Sequence, residues 1–300
     1  MIDIPEALVA SQIRWNGEAG RAFVEGLPGR VEELAGRWGL RVTGPSMHGV
    51  ASLVLPVVRE RDGVRAVLKL QVLDSENAGE PLALRSWDGD GAVLLLDHDL
   101  DTGTLLLERL AGPHLSSVED DREAVRILAD LLARLTSMPA PMTGLRRLGD
   151  IAAAMLERVP AAVGALVDEG EGALLRDCAA AVREVVDEPG DRLLHWDLHY
   201  DNILAAEREP WLVIDPKPMA GDPGFELLPA LVNRFRSDAG ATQWRFDLLT
   251  ERLGLDREGR ERARAWTLGR VLENGLWDVA EGAPRLQPEQ VFIARTMLAR

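Results

Sequence analysis

The apolar residues of this chain change their spacing once, near residue 111, and that change constrains the fold more than any other feature. Between Leu40 and Leu110 they come in short runs bounded by turn residues, at 40–44, 50–58, 64–72, 92–99 and 103–110. Asp62-Gly63 separates the second run from the third and is a strong hairpin signal. Residues 74–87 interrupt the runs with a helical pattern. From Gly112 onward helical spacing takes over, at 119–137, 148–168, 171–187, 224–236, 242–253, 258–281 and 288–299. Two short apolar runs break it at 191–216. Residues 1–39 also read as helical, divided at Pro28-Gly29 and stopped at Gly39. The expectation is an α+β chain. An N-lobe over 1–110 carries N-terminal helices and a five-stranded antiparallel sheet, and a mainly helical C-lobe covers 111–300.

Composition narrows the function. The chain has 300 residues, 46% of them hydrophobic, which is enough to bury a sizeable core. Its 49 acidic and 34 basic residues leave a formal charge of −15. A nucleic-acid binder needs clustered positive charge, so that class is disfavoured. A cationic partner suits the balance, with a solvated acidic surface as the plainer reading. One cysteine, Cys178, excludes an internal disulfide framework and a cysteine-based zinc site. The N-terminus lacks a basic start followed by an apolar run, and no stretch nears ~20 apolar residues. A cytoplasmic protein with no membrane span is expected, and no obligate protein partner is evident.

The densest polar cluster is His195-Trp196-Asp197-Leu198-His199-Tyr200-Asp201-Asn202, set between Leu193-Leu194 and Ile203-Leu204. Buried polar groups are costly unless satisfied, so this octet needs a chemical reason. Its H-x-D-x-x-x-x-N spacing is that of a kinase catalytic loop. In that chemistry a carboxylate accepts a hydrogen bond from the attacking hydroxyl. Five residues on, an amide oxygen reaches a metal ion without adding charge. Asp215 follows at the end of the short apolar run Trp211–Ile214, where a carboxylate can hold Mg²⁺. The basic residues divide into 32 arginines and two lysines, Lys69 and Lys217. Against that background, Lys69 inside an apolar strand reads as a compact ammonium for phosphate oxygens. A lysine that protects an edge strand is the alternative. The loop Thr43–Ser52, with Ser46, could cover the phosphates, although it lacks G-x-G-x-x-G spacing. Lys217 could touch a phosphate.

The order of loop, lysine, helix, two strands, catalytic loop and metal aspartate resembles the aminoglycoside phosphotransferases, small-molecule kinases of protein-kinase-like fold. More closely, it resembles the streptomycin 6-kinases of the aminoglycoside/hydroxyurea resistance kinase group. The segments that carry the resemblance are 106–110, 117–121, 194–216, 221–227, 245–251 and 276–282, with Trp196 where the superfamily usually has glycine. The resemblance implies a bilobal fold and an ATP- and Mg²⁺-dependent transfer to a hydroxyl of a cationic antibiotic, above all streptomycin. Another acceptor such as hydroxyurea, or a silent nucleotide-binding protein of the same fold, are the alternatives. Asp197 is then the catalytic base, and Asn202 and Asp215 are the magnesium ligands. Lys69 meets the ATP phosphates, held by Glu80 or, as runner-up, Glu76. Adenine is expected at the inter-lobe linker, on the Glu108 carbonyl and the Leu110 amide. Asp222 caps a helix and, in the family reading, braces the catalytic loop. Glu226 is a candidate substrate contact. Glu273, Asn274, Trp277, Asp278 and Glu281 share a helix face whose three carboxylates and indole suit a guanidinium-bearing acceptor. A solvated helix face is the alternative.

Overall fold

The N-terminal segment forms one long helix, α1 (Glu6–Trp38), which bends at Gly17 and not at Pro28. Gly17 takes φ 54°, ψ −124°, a conformation that only glycine adopts at low cost. Pro28 lies on the exposed side, where the carbonyl that its missing N–H leaves unbonded can take water. Gly39 stops the helix in the left-handed conformation and donates its N–H to Ala35 O. The computed structural model describes residues 2–49 and 51–300. It divides into two compact units, Met1–Gly89 with Val93–Ala111, and Asp90–Ala92 with Gly112–Arg300.

The first unit holds β1 (Leu40–Val42), β2 (Met47–His48), β3 (Ser52–Arg59), β4 (Val64–Gln71), α2 (Glu80–Trp87), β5 (Leu95–His98) and β6 (Leu105–Glu108). The sheet order is β1-β3-β4-β6-β5, with β2 paired to β3 and every pairing antiparallel. The sheet therefore has six strands where five were expected. β2 is two residues long, too short for a periodic signal. Asp62-Gly63 makes the expected turn between β3 and β4, with Gly63 at φ 72°. The helical reading of 74–87 shrinks to α2, because Asp74 takes the N–H groups of Glu76 and Asn77 into a turn first. Leu8, Phe23, Leu27 and Val31 of α1 form a core with Leu53, Leu55, Val57, Leu68 and Leu70 of the sheet. Val50, the first residue of the expected second strand, lies outside the described residues.

The second unit runs α3 (Asp121–Leu135), β7 (Arg146–Arg147), α4 (Leu148–Ala165), α5 (Glu169–Val185), β8 (Arg192–Leu194), β9 (Ile203–Ala205), β10 (Trp211–Val213), β11 (Met219–Gly221), α6 (Leu227–Val232), α7 (Ala239–Arg252), α8 (Arg257–Ala280) and α9 (Pro288–Leu298). β9 and β10 form a hairpin, and β11 joins β7 and β8. Helix 224–236 was expected whole. Instead a 3-10 turn over Pro223–Glu226 precedes α6, and the helix ends at Val232 before Arg234 at φ 47°. α8 packs against α4 and α5, and a Cβ on Gly224 would sit 2.4 Å from Ala263 Cα of α8. Cys178 is fully buried, and burial pushes its thiol up to about 12. No helix of the described residues is long and apolar enough to cross a membrane.

Candidate active site

β4 lies between β3 and β6, so Lys69 is not on an edge. Its ammonium is buried and donates to both oxygens of the fully buried Glu80, at 2.7 and 2.9 Å. Gln71 Nε2 adds a third donor to Glu80 at 2.8 Å. Glu76 lies in the turn before the helix, and Glu80 takes the position weighed first for the lysine's partner. Pro81 falls in the first turn of α2, where proline costs no hydrogen bond. The buried carboxylate thus takes three donors, and the buried ammonium has a directly bonded carboxylate partner. Lys69 stands opposite Val54 of β3, and Val54 opposite Met47 of β2. β2 and β3 are thus paired in register with the lysine, with half-buried Ser46 just before β2. On the neighbouring strand β6, Glu108 N donates to Leu94 O and Leu94 N to Glu108 Oε2, and half-buried Leu110 follows after the strand ends.

In the second unit, the octet is a loop braced from behind. His195 is fully buried. Its Nδ1 accepts the Asp197 N–H at 3.2 Å, so Nε2 carries the proton and donates to Ile214 O at 2.9 Å. Burial drives its pKa down to about 4, leaving the ring neutral. Trp196 adopts φ 66°, a strained conformation for an aromatic residue. Its ring is held between the guanidinium groups of Arg146 and Arg270, at 3.9 and 4.7 Å from the ring centre. Beneath them Glu226 takes the His195 and Trp196 N–H groups, at 3.0 and 2.9 Å. Burial pushes the Glu226 carboxyl up to about 8, against the pull of those two donors and of Arg270.

These contacts correct two expectations. Glu226 is 1% exposed with both oxygens engaged, so it braces the loop and does not face a substrate. Asp222 caps the 3-10 turn through Gly224 N at 2.7 Å and pairs with Arg262, and it is Glu226 that braces the loop. The loop's far end is fixed by the only tyrosine in the chain. Tyr200 Oη donates to Asp121 Oδ1 at 3.2 Å, and Arg245 Nη2 donates to Asp121 Oδ2 at 2.6 Å. Segments 117–121 and 245–251 meet there. The sequence reading missed this role, although a lone tyrosine inside a polar octet was a usable signal.

Asp197 is left half-exposed at the front of the braced loop. Lys217 Nζ lies 3.3 Å from Asp197 Oδ2, and His199 Nε2 lies 3.9 Å from Oδ1, beyond hydrogen-bond reach. Asn202 Nδ2 donates to Asp197 O at 2.9 Å, which leaves the amide oxygen as the end offered to a cation. Ile214 N donates to Asn202 O at 2.9 Å, so Asp215 follows directly on a residue tied to Asn202. Asp215 takes φ 58°, the second strained residue of the site. One carboxylate and one amide oxygen fit a hard cation that draws its other ligands from water and phosphate. Among the described residues no group of three or more His, Cys, Asp or Glu could hold a metal ion.

On α8, Glu273 and Asn274 lie three and four residues after Arg270, and Trp277 lies four and three residues after them, so they share one side of the helix, a row that starts at Trp196. Glu273 lies 3.8 Å from Arg158 of α4, Asn274 is half-buried, and Trp277 is 52% exposed. Asp278 departs from the row. Burial raises its pKa, with Gln287 hydrogen-bonded to it and Glu289 adding repulsion, so it faces the start of α9.

Residues 37–282 match the family model described as aminoglycoside/hydroxyurea antibiotic resistance kinase. The chain belongs to that family. This resistance-kinase chain is 63% identical to a hydroxyurea phosphotransferase of Kitasatospora aureofaciens, over 100% of its own length and 87% of the relative's. It is 56% and 52% identical to the streptomycin 6-kinases of Streptomyces glaucescens and Streptomyces griseus, over 99% of this chain and 97% of each relative. Among solved structures, an aminoglycoside phosphotransferase with ADP and hygromycin B aligns at TM-score 0.62 and 16% identity, covering 88% of this chain and 97% of that one. A choline/ethanolamine kinase family protein from Mesorhizobium loti aligns at 0.59 and 16%, covering 90% and 92%. The resistance kinase therefore has the fold of the aminoglycoside phosphotransferases and choline kinases.

Proposed function

We propose that this kinase transfers the γ-phosphoryl group of ATP to a hydroxyl of streptomycin, at position 6, and so inactivates the antibiotic. The observation that carries the acceptor is the similarity to two streptomycin 6-kinases over nearly the whole chain. The geometry supports the chemistry. Asp197 is fixed by a loop anchored at both ends and presents one carboxylate to the acceptor hydroxyl, taking its proton as the oxygen–phosphorus bond forms. Lys69, made rigid by Glu80 and Gln71, grips phosphate oxygens. Ser46 and the β2–β3 pair assist there, and the Glu108 carbonyl and Leu110 amide are the proposed adenine contacts. Asn202 and Asp215 would hold Mg²⁺, which when bound neutralises phosphate charge. Glu273, Asn274 and Trp277 are the proposed acceptor contacts, with a carboxylate for a guanidinium and an indole face for the cation. A reaction that consumes ATP suits the cytoplasm.

A second reading has one observation in its favour. The 63% identical relative is a hydroxyurea phosphotransferase, so hydroxyurea is the alternative acceptor. It is small and uncharged and needs no carboxylate row. The test is ATP turnover by the purified chain with streptomycin, hydroxyurea and hygromycin B, with the product phosphate mapped by NMR. Phosphate on the 6-oxygen of streptomycin is expected. Turnover with hydroxyurea alone would transfer the proposal to the second reading.

A further inference from the structure

Lys217 is a cation placed where a site for cationic antibiotics should least want one. Its ammonium lies 3.3 Å from Asp197 Oδ2, in a chain of net charge −15. A guanidinium-bearing acceptor approaching Asp197 is repelled by it, so the ammonium must serve an anion. Its placement is built. Lys217 sits between Pro216 and Pro218, which restrict its backbone on both sides. Its own N–H donates to His195 O at 3.0 Å, and its carbonyl accepts from Arg146 Nη2 at 3.5 Å. Arg146 also stacks on Trp196 and His195 holds the Asp197 N–H, so Lys217 is tied into the framework that sets Asp197. Residue choice points the same way. Of 34 basic residues only two are lysines, and the other is the buried Lys69. A compact ammonium can exchange one oxyanion for another at a crowded centre more readily than a planar guanidinium.

We infer that Lys217 is a catalytic residue that pairs with Asp197 in the resting protein and passes to the transferring phosphoryl group during the reaction. The inference rests on the phosphotransferase reading. In the step, the acceptor oxygen bonds to the γ-phosphorus, and the bond from that phosphorus to the β,γ-bridging oxygen breaks, its electron pair leaving on ADP. The hydroxyl proton goes to Asp197. The ammonium held beside Asp197 meets the equatorial phosphoryl oxygens as negative charge spreads over them.

The test uses Lys217→Met and Lys217→Arg in the full chain. The side chain is 40% exposed, and the link to His195 runs through the backbone, so both variants should keep the wild-type melting midpoint. For Lys217→Met, kcat should fall by about 10²–10³-fold, the usual loss for one positioned donor, with the streptomycin KM unchanged or lower because a repelling charge is gone. Equilibrium binding supplies a readout independent of turnover. Lys217→Met should bind ADP as wild type does but lose affinity for a non-hydrolysable ATP analogue, and Lys217→Arg should recover part of that affinity. A kcat within threefold of wild type, or equal weakening of ADP and analogue, would overturn the inference. Failure of the phosphotransferase reading shows separately, as a wild-type chain that binds nucleotide and phosphorylates no acceptor.

Discussion

Two buried groups, His195 on the catalytic loop and Glu226 bracing it, titrate in opposite senses, and this gives the loop a pH signature. The folded-state pKa of Glu226, about 8, stands above its ordinary value of 4.5, so the folded chain holds that proton more tightly than the unfolded one. Its contribution to stability is complete below about 4.5 and is lost as pH rises through about 8. The folded-state pKa of His195, about 4, lies below its ordinary 6.5, so its contribution is complete above 6.5 and is lost as pH falls through about 4. Between pH 6.5 and 8 only Glu226 acts. The stability of wild type relative to Glu226→Gln should fall by about 2 kcal/mol across that window, near 1.36 kcal/mol per pH unit for one proton. Urea unfolding at half-unit pH steps measures it. A flat difference would mean that the two N–H donors and Arg270 already hold the carboxylate ionised at pH 6.5. Glu226 also marks where sequence legibility ends at this scale. Glu80 could be read from the apolar helix face beside it. The partners of Glu226 lie 30 and 31 residues away, and no local pattern says which backbone N–H groups will point at it. The strained Trp196 was visible only as an odd residue at a glycine position.

At the scale of elements, burial decides what a side chain can do. β4 carries buried Lys69 in an interior strand of the sheet, where Glu80 holds a compact ammonium, a group whose geometry a planar guanidinium does not reproduce. Lys69→Arg should therefore lose nearly as much kcat/KM for ATP as Lys69→Ala. Near-normal steady-state kinetics in the arginine variant would make the lysine a mere counter-ion. α8 supports a graded prediction. Glu273 stands in the row that begins at Trp196, and Asp278 turns to Gln287 and Glu289. Glu273→Gln should raise the streptomycin KM by more than tenfold, the loss of a desolvated pair of about 2–5 kcal/mol. Asp278→Asn should change it by less than threefold, and neither should move the ATP KM. Equal effects from the two would return this face to ordinary solvated surface. Helical periodicity located α8 within a residue or so, but spacing alone put Glu273 and Asp278 on one face because it cannot show what α9 covers. The bend of α1 was misplaced for a related reason. Proline is a strong breaker only where its freed carbonyl stays dry, whereas Gly17 needed a left-handed backbone that glycine alone supplies cheaply.

For the molecule as a whole, the change from β-type runs to helical spacing near residue 111 was enough to read a β-rich unit followed by a helical one. Sequence could also read the order of Lys69, Asp197, Asn202 and Asp215, since order survives without coordinates. What it could not read was the acceptor, because charge composition describes a field and not a site. A formal charge of −15 attracts any polycation over long distances, and salt screens that attraction. The Debye length falls from about 10 Å at 0.1 M to about 3 Å at 1 M salt. If the acidic field only steers streptomycin to the surface, raising salt over this range should lower kcat/KM for wild type and Glu273→Gln in parallel. If Glu273 instead pairs with a guanidinium in a partly desolvated row, wild type should keep more of its affinity in salt than the variant does. The second outcome is expected, because Glu273 is only 19% exposed and stands beside a fixed Arg158. Hydroxyurea supplies the control. It is uncharged, so its kcat/KM should be insensitive to salt in both proteins if it is turned over at all. Steady-state kinetics with both acceptors at four salt concentrations separates the cases. A salt response for streptomycin identical in the two proteins would assign the acidic bias to steering and remove Glu273 from the acceptor site.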